Sequence, residues 1–585
     1  MNPYQWVWQY ARRSRLQIIL ASILIIINAI GVVAVPLLGG MLVDLVINQR
    51  HLKLLLPLLA AMIGITLIRT LMRYCYIILW ERVGQNSLFA IRHDLFTKLQ
   101  SLDDPFFKSV SNGDIMARLT GDTDAIRHFL CWVTYNAAEC ILWFLTAVFV
   151  MGWINWQLML ALIILTPIIG WLTTRMSNEA HAVFFNIRQS FARLNAMVEE
   201  NISGNRIVRA FAREDYEINK FEQLNHDYKN KNMASAAVSR RYLPALDFLA
   251  SLLTVIVLLL GSFFVINHQM TLGELVSFNG FLWMLNQPIR MSGWLINDIQ
   301  RFSAATIKIR AMLAAQPQIT TEKVPSVGKI QGTVEFQHVD FAFPDDPKNN
   351  ILTDINFKVT PGQTLGILGE TGSGKTTLMN LIARFYDPTS GRVLIDGQDV
   401  RQWSAQTLRD QITIVTQDLF LFSDSITDNI NYGNHEASLP FIHQMANIAD
   451  ADNFINQMPE GYDTVVGERG VGLSGGQKQR ISLARALVKD PQVLILDDTT
   501  SALDMETEAT IQQRLQSVTQ DKTVFIIASR ISSLRHADQI IVLRHGKIVE
   551  QGTHDTLLAQ AGYYAETYQR QLGLLETAKG GEDHG

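Results

Sequence analysis

Long apolar stretches dominate the first half of the chain. Six of them are about 20 residues long, which is the length of helix that crosses the hydrocarbon core of a membrane. They lie near 16–38, 54–80, 128–151, 154–174, 243–266 and 275–297. A tight turn at 152–156 separates the third from the fourth, and the sixth contains Asn279, Asn286 and Pro288. The pattern predicts six membrane-spanning helices.

Two hydrophilic segments, 81–127 and 175–242, connect the second span to the third and the fourth to the fifth. Both are rich in helix-forming residues, so we expect the spans to continue as long helices beyond the membrane. Each contains one predicted turn, near 105–114 and near 210–216. Lysine and arginine are concentrated in these segments and before the first span. By the positive-inside rule, both termini and both segments are expected in the cytosol.

The pattern changes after residue 316. Short runs of β-branched residues then alternate with helical segments, which is typical of α/β proteins with a mostly parallel sheet. Proline and glycine between 316 and 332 indicate a linker. We therefore predict a membrane domain, a linker, an α/β domain and a disordered tail, with boundaries at 1–315, 316–332, 333–575 and 576–585.

The composition agrees with a membrane part. Hydrophobic residues make up 48% of the 585 residues, a high share for a soluble protein. The formal net charge of -4 is small for this length. We therefore expect no nucleic-acid partner.

A glycine-rich segment follows the strand predicted at 364–368. Its sequence, GETGSGKT, fills every fixed position of the phosphate-binding P-loop, between a strand and a helix. Glycines let the backbone wrap around phosphates, and free amides at the helix N-terminus supply positive potential. Lys375 would reach the β- and γ-phosphates of ATP, and the Thr376 hydroxyl would ligate Mg²⁺. The residues predicted to bind nucleotide here are Gly369, Glu370, Thr371, Gly372, Ser373, Gly374, Lys375, Thr376 and Thr377.

Two further motifs lie downstream of the P-loop. Residues 493–497 form an apolar run that ends in Asp497, the Walker B arrangement in which the carboxylate holds Mg²⁺. Residues 473–477, LSGGQ, precede a predicted helix, so their free amides could bind an anion. When LSGGQ is considered alone, an ordinary loop or helix cap explains it equally well.

Together these motifs resemble the ATP-binding cassette (ABC) family. The order of P-loop, Gln417, LSGGQ, Walker B and Ser501–Asp504 matches that family, and six preceding spans resemble its multidrug and lipid exporter branch. The resemblance implies an ATPase domain with a helical subdomain, and head-to-tail dimers in which each ATP lies between one P-loop and the partner's LSGGQ. It also implies roles for single residues. Phe343 would stack on adenine, and Gln417 would contact Mg²⁺ and the attacking water. Residues 467–470 would face the coupling loops. The residues that contact the partner's ATP or the dimer seam would be Ser474, Gly475, Gly476, Gln477 and Asp504.

Two positions depart from the family's pattern. The family has Glu after the Walker B aspartate and His in its switch motif, where this chain has Asp498 and Ser529. Aspartate is shorter than glutamate by one C–C bond, roughly 1.5 Å, and a misplacement of about 1 Å can slow a reaction on the order of a hundredfold. Serine lacks the reach and the possible charge of imidazole. We predict slow or no hydrolysis at a catalytic set of Lys375, Gln417, Asp498 and Ser529, with Thr376, Gln417 and Asp497 as metal ligands.

The nucleotide-binding residues and LSGGQ are nevertheless complete. This combination resembles the degenerate subunit of heterodimeric bacterial ABC exporters, which lends its LSGGQ to the active site of a second half-transporter. The resemblance implies ATP-driven export of amphipathic drugs or lipids across the cytoplasmic membrane, with contacts to membrane lipids. Two alternatives stay open: a homodimeric lipid or peptide exporter in which Asp498 works, and an ATP-sensing regulatory membrane protein.

Polar residues inside spans are costly and therefore candidates for a substrate pathway. Glu139, Arg69, Arg73 and Asn286 are the candidates here. For the two arginines the alternative is snorkelling toward the membrane surface, and for Glu139 it is a buried hydrogen bond. The sequence does not identify a substrate.

Overall fold

The structure is a computed structural model that describes residues 2–319, 328–467, 470–499 and 503–572. It divides into two units. The first comprises Met1–Leu102 and Phe106–Gln316, and the second Asp103–Pro105 and Pro317–Gly585. The middle of the predicted linker, at 320–327, and the predicted tail at 576–585 lie outside the described residues. So do Glu468, Arg469 and Ser501.

The first unit is helical throughout. Short 3-10 and π turns join several of its α-helices, so that residues Asn112–Ile154 form one continuous helical run. The α-helices are α1 Pro3–Ala11, α2 Arg15–Met41, α3 Leu55–Gln100, α4 Asp104–Ser109, α5 Asn112–Ala117, α6 Thr123–His128, α7 Thr134–Ile154, α8 Trp156–Ser203, α9 Asn205–Ala210, α10 Glu214–Ile266 and α11 Leu272–Ala314.

Five helical runs among the described residues are long and apolar enough to cross a membrane, and each contains one predicted span. The sixth predicted span lies in α11, which is 43 residues long but more polar. Its apolar residues Phe278, Phe281 and Met284 are fully buried in a core shared with α2, α7, α8 and α10. A helix surrounded by other helices needs less apolar surface than one that faces lipid, which explains its lower hydropathy.

Four helices are much longer than a bilayer requires, and α11 with 43 residues is the shortest of them. Helices α3, α8 and α10 have 46, 48 and 53 residues. At about 1.5 Å per residue they reach roughly 70–80 Å, more than twice the thickness of a hydrocarbon core. The prediction that spans continue as long helices is confirmed. The chain leaves helical conformation after α3 and at Phe211–Arg213, near the two predicted turns.

The second unit contains two β-sheets. A four-stranded antiparallel sheet has the order β2-β1-β4-β5, and a six-stranded, mostly parallel sheet has the order β10-β9-β3-β8-β7-β6. The strands are β1 Val334–Phe341, β2 Leu352–Val359, β3 Thr364–Gly369, β4 Ser390–Ile395, β5 Gln398–Asp399, β6 Ile412–Val415, β7 Val493–Asp497, β8 Thr523–Ile527, β9 Gln539–Arg544 and β10 Lys547–Gly552.

The helices of this unit are α12 Lys375–Ile382, α13 Ala405–Gln411, α14 Ile426–Asn431, α15 Leu439–Ile448, α16 Asp452–Asn456, α17 Gly475–Val488, α18 Met505–Thr519, α19 His554–Ala559 and α20 Tyr563–Gln571. Three hydrophobic cores hold them. The first joins both sheets to α12, and the second joins β7 to a group of helices, α14 to α18, which is the helical subdomain. The third joins β9 to α19 and α20. The chain therefore combines a unit of long helices with an α/β unit.

Candidate nucleotide-binding site

The predicted catalytic residues lie at one edge of the six-stranded sheet. Strands β3, β8, β7 and β6 run parallel and adjacent, so their carboxyl ends lie side by side. The P-loop follows β3, Ser529 follows β8, Asp498 follows β7 and Gln417 follows β6. Ligands of open α/β sheets bind at this edge.

The glycines of the P-loop are required by its backbone. Gly372 and Gly374 have φ angles of +82° and +101°, a region that side chains disfavour. At Gly369, a Cβ atom would lie 2.4 Å from the carbonyl oxygen of Leu543, so a side chain there would force β3 and β9 apart. The loop delivers Lys375 as the first residue of α12, and its Nζ donates to the carbonyl oxygens of Gly369 and Glu370, both at 2.8 Å.

Thr376 and Asp497 form the center of the candidate metal site. The Thr376 hydroxyl donates to Asp497 Oδ2 at 2.9 Å. Burial raises the pKa of Asp497, and Asp498 raises it further, whereas the Thr376 hydrogen bond and Lys375 lower it. Burial lowers the pKa of Lys375, and Asp497 and Asp498 act in the opposite direction.

These oxygen donors fit Mg²⁺, which prefers hydroxyl, carboxylate and phosphate oxygens. The described part of the chain has no group of three or more His, Cys, Asp or Glu side chains able to hold a metal ion by themselves. Thr376 and Asp497 would therefore hold Mg²⁺ together with ATP phosphates and water. The side chain of Gln417 is exposed two residues beyond β6, where it could supply a further oxygen.

Asp498 has a positive φ angle of +51°. Aspartate enters this left-handed region more readily than most residues. Its backbone N–H donates to the carbonyl oxygen of Ile527 at 2.9 Å, which fixes it beside the end of β8. Ser529 lies two residues beyond that strand end and is exposed. The two residues that depart from the ABC pattern therefore follow neighbouring strands.

Phe343 packs against Tyr386, with ring centroids 5.4 Å apart, and Tyr386 lies just after α12. The ring predicted to stack on adenine thus belongs to the same core as the helix that begins at Lys375.

The LSGGQ residues belong to a different element from the P-loop. Ser474 caps α17 in a capping box: its N–H donates to Gln477 Oε1 at 2.8 Å, and Gln477 N–H donates back to Ser474 Oγ at 3.3 Å. Gly475 and Gly476 form the first turn of this helix. Asp504 caps α18, and hydrogen bonds from Thr507 lower the pKa of its carboxyl. LSGGQ opens a helix of the helical subdomain, whereas the P-loop follows the central strand β3.

Sequence reasoning missed three residues beside the site. Tyr563 OH donates to Glu370 Oε1 at 3.1 Å, and Arg544 forms an ion pair with the same carboxylate at 3.6 Å. Gln571 Nε2 donates to the carbonyl oxygen of Ser529 at 2.8 Å. These hydrogen-bonded partners are 42 to 193 residues apart in the chain, so they leave no local pattern in the sequence.

In the membrane unit, Glu139 is 1% exposed and lies in a hydrogen-bonded cluster. Tyr76 OH donates to Glu139 Oε1, Asn28 Nδ2 donates to Tyr76 OH at 3.4 Å, and Arg69 Nε donates to Asn28 Oδ1 at 3.3 Å. Arg73 is exposed on α3. The structure thus brings Glu139 and Arg69 together through two intermediate side chains.

Asn286, the fourth candidate for the substrate pathway, lies on α11 and is half-buried. Its helix neighbours Leu285 and Met284 are part of the central core of the membrane unit.

Replacing Glu139 tests the role of this cluster. Glu139→Ala should destabilise the membrane unit by about 1–3 kcal/mol, because it removes the acceptor of a buried hydroxyl. Glu139→Gln keeps an acceptor oxygen and should cost less. Thermal unfolding of the detergent-solubilised chain measures both effects, as a lower midpoint for alanine than for glutamine. Equal midpoints in all three proteins would contradict a structural role for the cluster.

The fold and this site define a class: a P-loop ATPase joined in one chain to a helical membrane domain. Two family models match the chain, "ABC transporter transmembrane region" at residues 18–289 and "ABC transporter" at residues 352–501. The chain belongs to the ABC transporter family. It is a multi-pass membrane protein of the exporter type, a half-transporter that binds ATP and couples its hydrolysis to translocation.

Similar proteins cover nearly the whole chain. An uncharacterized ABC transporter ATP-binding protein, YknU of Bacillus subtilis, is 36% identical over 97% of this chain and 96% of its own length. The probable multidrug resistance protein YheI of the same organism is 37% identical over 89% of each chain. An ATP-dependent lipid A-core flippase of Syntrophus aciditrophicus is 34% identical over 90% of this chain and 88% of its own.

Among solved structures, a bacterial Atm1-family ABC exporter with ATP bound has the same fold. It is 29% identical, with a TM-score of 0.79, and the match covers 95% of this chain and 98% of that one.

Proposed function

We propose that this chain is the degenerate half of a heterodimeric exporter of amphipathic drugs or lipids in the cytoplasmic membrane, with its ATPase domain in the cytosol. The observation that carries the proposal is the placement of Asp498 and Ser529 after neighbouring strands, beside a complete P-loop. Both departures affect hydrolysis, and neither affects the residues that hold ATP.

Each residue has a defined task in this proposal. Lys375 and the P-loop amides would bind the phosphates, while Thr376, Asp497 and Gln417 would hold Mg²⁺, whose charge would offset that of the phosphates. Asp498 would have to accept a proton from the attacking water, but its side chain is shorter than that of glutamate by one C–C bond, roughly 1.5 Å. Hydrolysis at this site would therefore be slow even when ATP is well bound.

The LSGGQ residues serve the partner's site. Ser474 and the free amides of Gly475 and Gly476 form the start of α17, where the helix dipole favours an anion. In the proposed heterodimer these groups contact ATP held by the P-loop of the second half-transporter. That second site would perform most of the hydrolysis.

Transport would follow from closure of the two ATPase domains. Closure on bound ATP would be transmitted through the helix breaks near 105–114 and 210–216 to the spans, which would open outward. The names of two similar proteins, the probable multidrug resistance protein YheI and the lipid A-core flippase, support drugs or lipids as cargo.

Expression with and without a partner tests the proposal. We expect this chain, purified alone, to bind ATP but to hydrolyse it at least about tenfold more slowly than a complex with a half-transporter that has Glu and His at the two positions. ATP hydrolysis in detergent measures the rates. A normal rate for the chain alone would favour a homodimeric exporter with a working Asp498. A complex that hydrolyses ATP but moves no fluorescent drug or lipid into vesicles would favour a regulatory ATP sensor.

A further inference from the structure

The P-loop of this chain contains an acidic side chain, Glu370. A carboxylate close to the phosphates of ATP opposes binding, because like charges repel each other most strongly where water is partly excluded. Glu370 is the first residue after β3, and its backbone carbonyl accepts a hydrogen bond from Lys375. The direction of its side chain therefore influences the charge that the loop presents.

Strand pairing brings a positive charge to this carboxylate. Strands β3 and β9 are parallel, and their register places Gly369 opposite Leu543. The next residues, Glu370 and Arg544, are consequently neighbours, with a guanidinium nitrogen of Arg544 3.6 Å from Glu370 Oε1. The guanidinium also lies 4.5 Å from the center of the Tyr563 ring. Tyr563 completes the group by donating its hydroxyl to the same oxygen at 3.1 Å.

The fold fixes Tyr563 at this position. Glu550 on β10 accepts the backbone N–H groups of Tyr563 and Tyr564, which begin α20. A Cβ at Gly562, just before them, would lie 2.4 Å from Glu550 Oε1, so a side chain there would displace the carboxylate that accepts these N–H groups. At the other end of α20, Gln571 bonds to the backbone of Ser529 and Ile531. Helix α20 is therefore attached at both ends to the candidate nucleotide site.

The carboxylates that affect the pKa of Lys375 are those of Asp497 and Asp498, not that of Glu370. Burial lowers the pKa of the Lys375 ammonium group and Asp497 and Asp498 oppose this effect, whereas the carboxylate of Glu370 contacts Arg544 and Tyr563. The backbone carbonyl of Glu370 therefore accepts a hydrogen bond from Lys375, while its side chain contacts Arg544 on β9 and Tyr563 on α20.

We propose that Arg544 and Tyr563 are positioning residues for ATP binding, which hold the Glu370 carboxylate against β9 and α20 and compensate its charge. The loop then presents its amides and Lys375 to the phosphates without a competing carboxylate. The proposal rests on ATP binding at this P-loop and is independent of whether the partner is a second copy or a different chain.

Displacement of a fluorescent ATP analogue from the full-length chain in detergent, with Mg²⁺ present, measures the effect. Arg544→Gln should weaken ATP binding about three- to fivefold, a modest change because both side chains are partly exposed to solvent. Tyr563→Phe keeps the ring beneath Arg544 and should lose less. Both losses should be smaller for ADP than for ATP and should shrink as salt increases.

The decisive comparison is made in the Glu370→Gln background. Without the carboxylate, Arg544→Gln should no longer weaken ATP binding, and the double variant should bind as tightly as Glu370→Gln alone. A merely structural role of Arg544 predicts the same loss in both backgrounds, and that result would overturn the proposal. An unchanged affinity of the single Arg544→Gln variant would overturn it as well.

Arg570→Gln is the matched control. Arg570 lies on the same helix, α20, and its only ion pair in the described part of the chain is with the exposed Glu566. It should bind ATP like the wild type. If the wild type itself fails to bind ATP, the proposed function fails. If it binds ATP but the variants do not follow the expected pattern, only the positioning role is lost.

Discussion

Replacing Lys375 by alanine is expected to weaken ATP binding by about ten- to a hundredfold. The ammonium group begins α12 and is held over the P-loop by the carbonyl oxygens of Gly369 and Glu370. Hydrogen bonds to charged groups are among the stronger ones in proteins, and here the acceptor would be a phosphate. Displacement of a fluorescent ATP analogue from the full-length chain measures the loss.

Lys547→Ala provides the control for this change. Lys547 is exposed at the start of β10, so the variant removes the same charge from the same unit. It should bind ATP like the wild type. If Lys375→Ala also retained full affinity, the assignment of residues 369–377 to ATP binding would be wrong.

The second large effect concerns hydrolysis. Changing Asp498 to Glu and Ser529 to His together should raise the rate at this site on the order of a hundredfold, because the carboxylate regains its reach and an imidazole is restored. The two residues follow neighbouring strands, so both new side chains would start from the same sheet edge. In the proposed heterodimer, single-turnover ATP hydrolysis measures the rate, with the second half-transporter carrying Gln in place of its catalytic Glu.

The single variants divide the effect between the two positions. Asp498→Glu alone should give little gain, because Ser529 would still lack the reach of histidine. Asp498 also has a φ angle of +51°, where glutamate is less favoured than aspartate. A large gain from Asp498→Glu alone would show that Ser529 matters little. If the double variant hydrolyses ATP no faster than the wild type, residues other than Asp498 and Ser529 limit the rate at this site.

Local patterns were sufficient for the elements that carry the chemistry. The strand before the P-loop, the helix after it and the strand that ends at Asp497 were predicted from β-branched runs and glycines, and all three are present. The long helical extensions were likewise predicted from composition. The sixth span was the weakest pattern, because α11 is surrounded by other helices and carries polar residues.

Contacts between distant residues could not be predicted. Nothing in the sequence indicates that Tyr76 lies against Glu139, 63 residues away, or that Gln571 binds the backbone of Ser529. Helix packing and strand order decide such contacts, and neither leaves a periodic pattern in the chain. The direction of the Glu370 side chain is a further example, since it depends on the register between β3 and β9.

The sequence by itself determined the class of this protein: membrane spans by their length and an ATP-binding domain by its P-loop. It also displayed the two departures from the family pattern, Asp498 and Ser529, on which the proposal of slow hydrolysis rests. These features depend on residue type and local spacing, which a single sequence displays completely. Only the tertiary structure decided that Glu139 is buried in a hydrogen-bonded cluster and that Arg544 and Tyr563 contact the Glu370 carboxylate. Those contacts arise when separate elements pack together, because burial and strand register then determine which side chains meet.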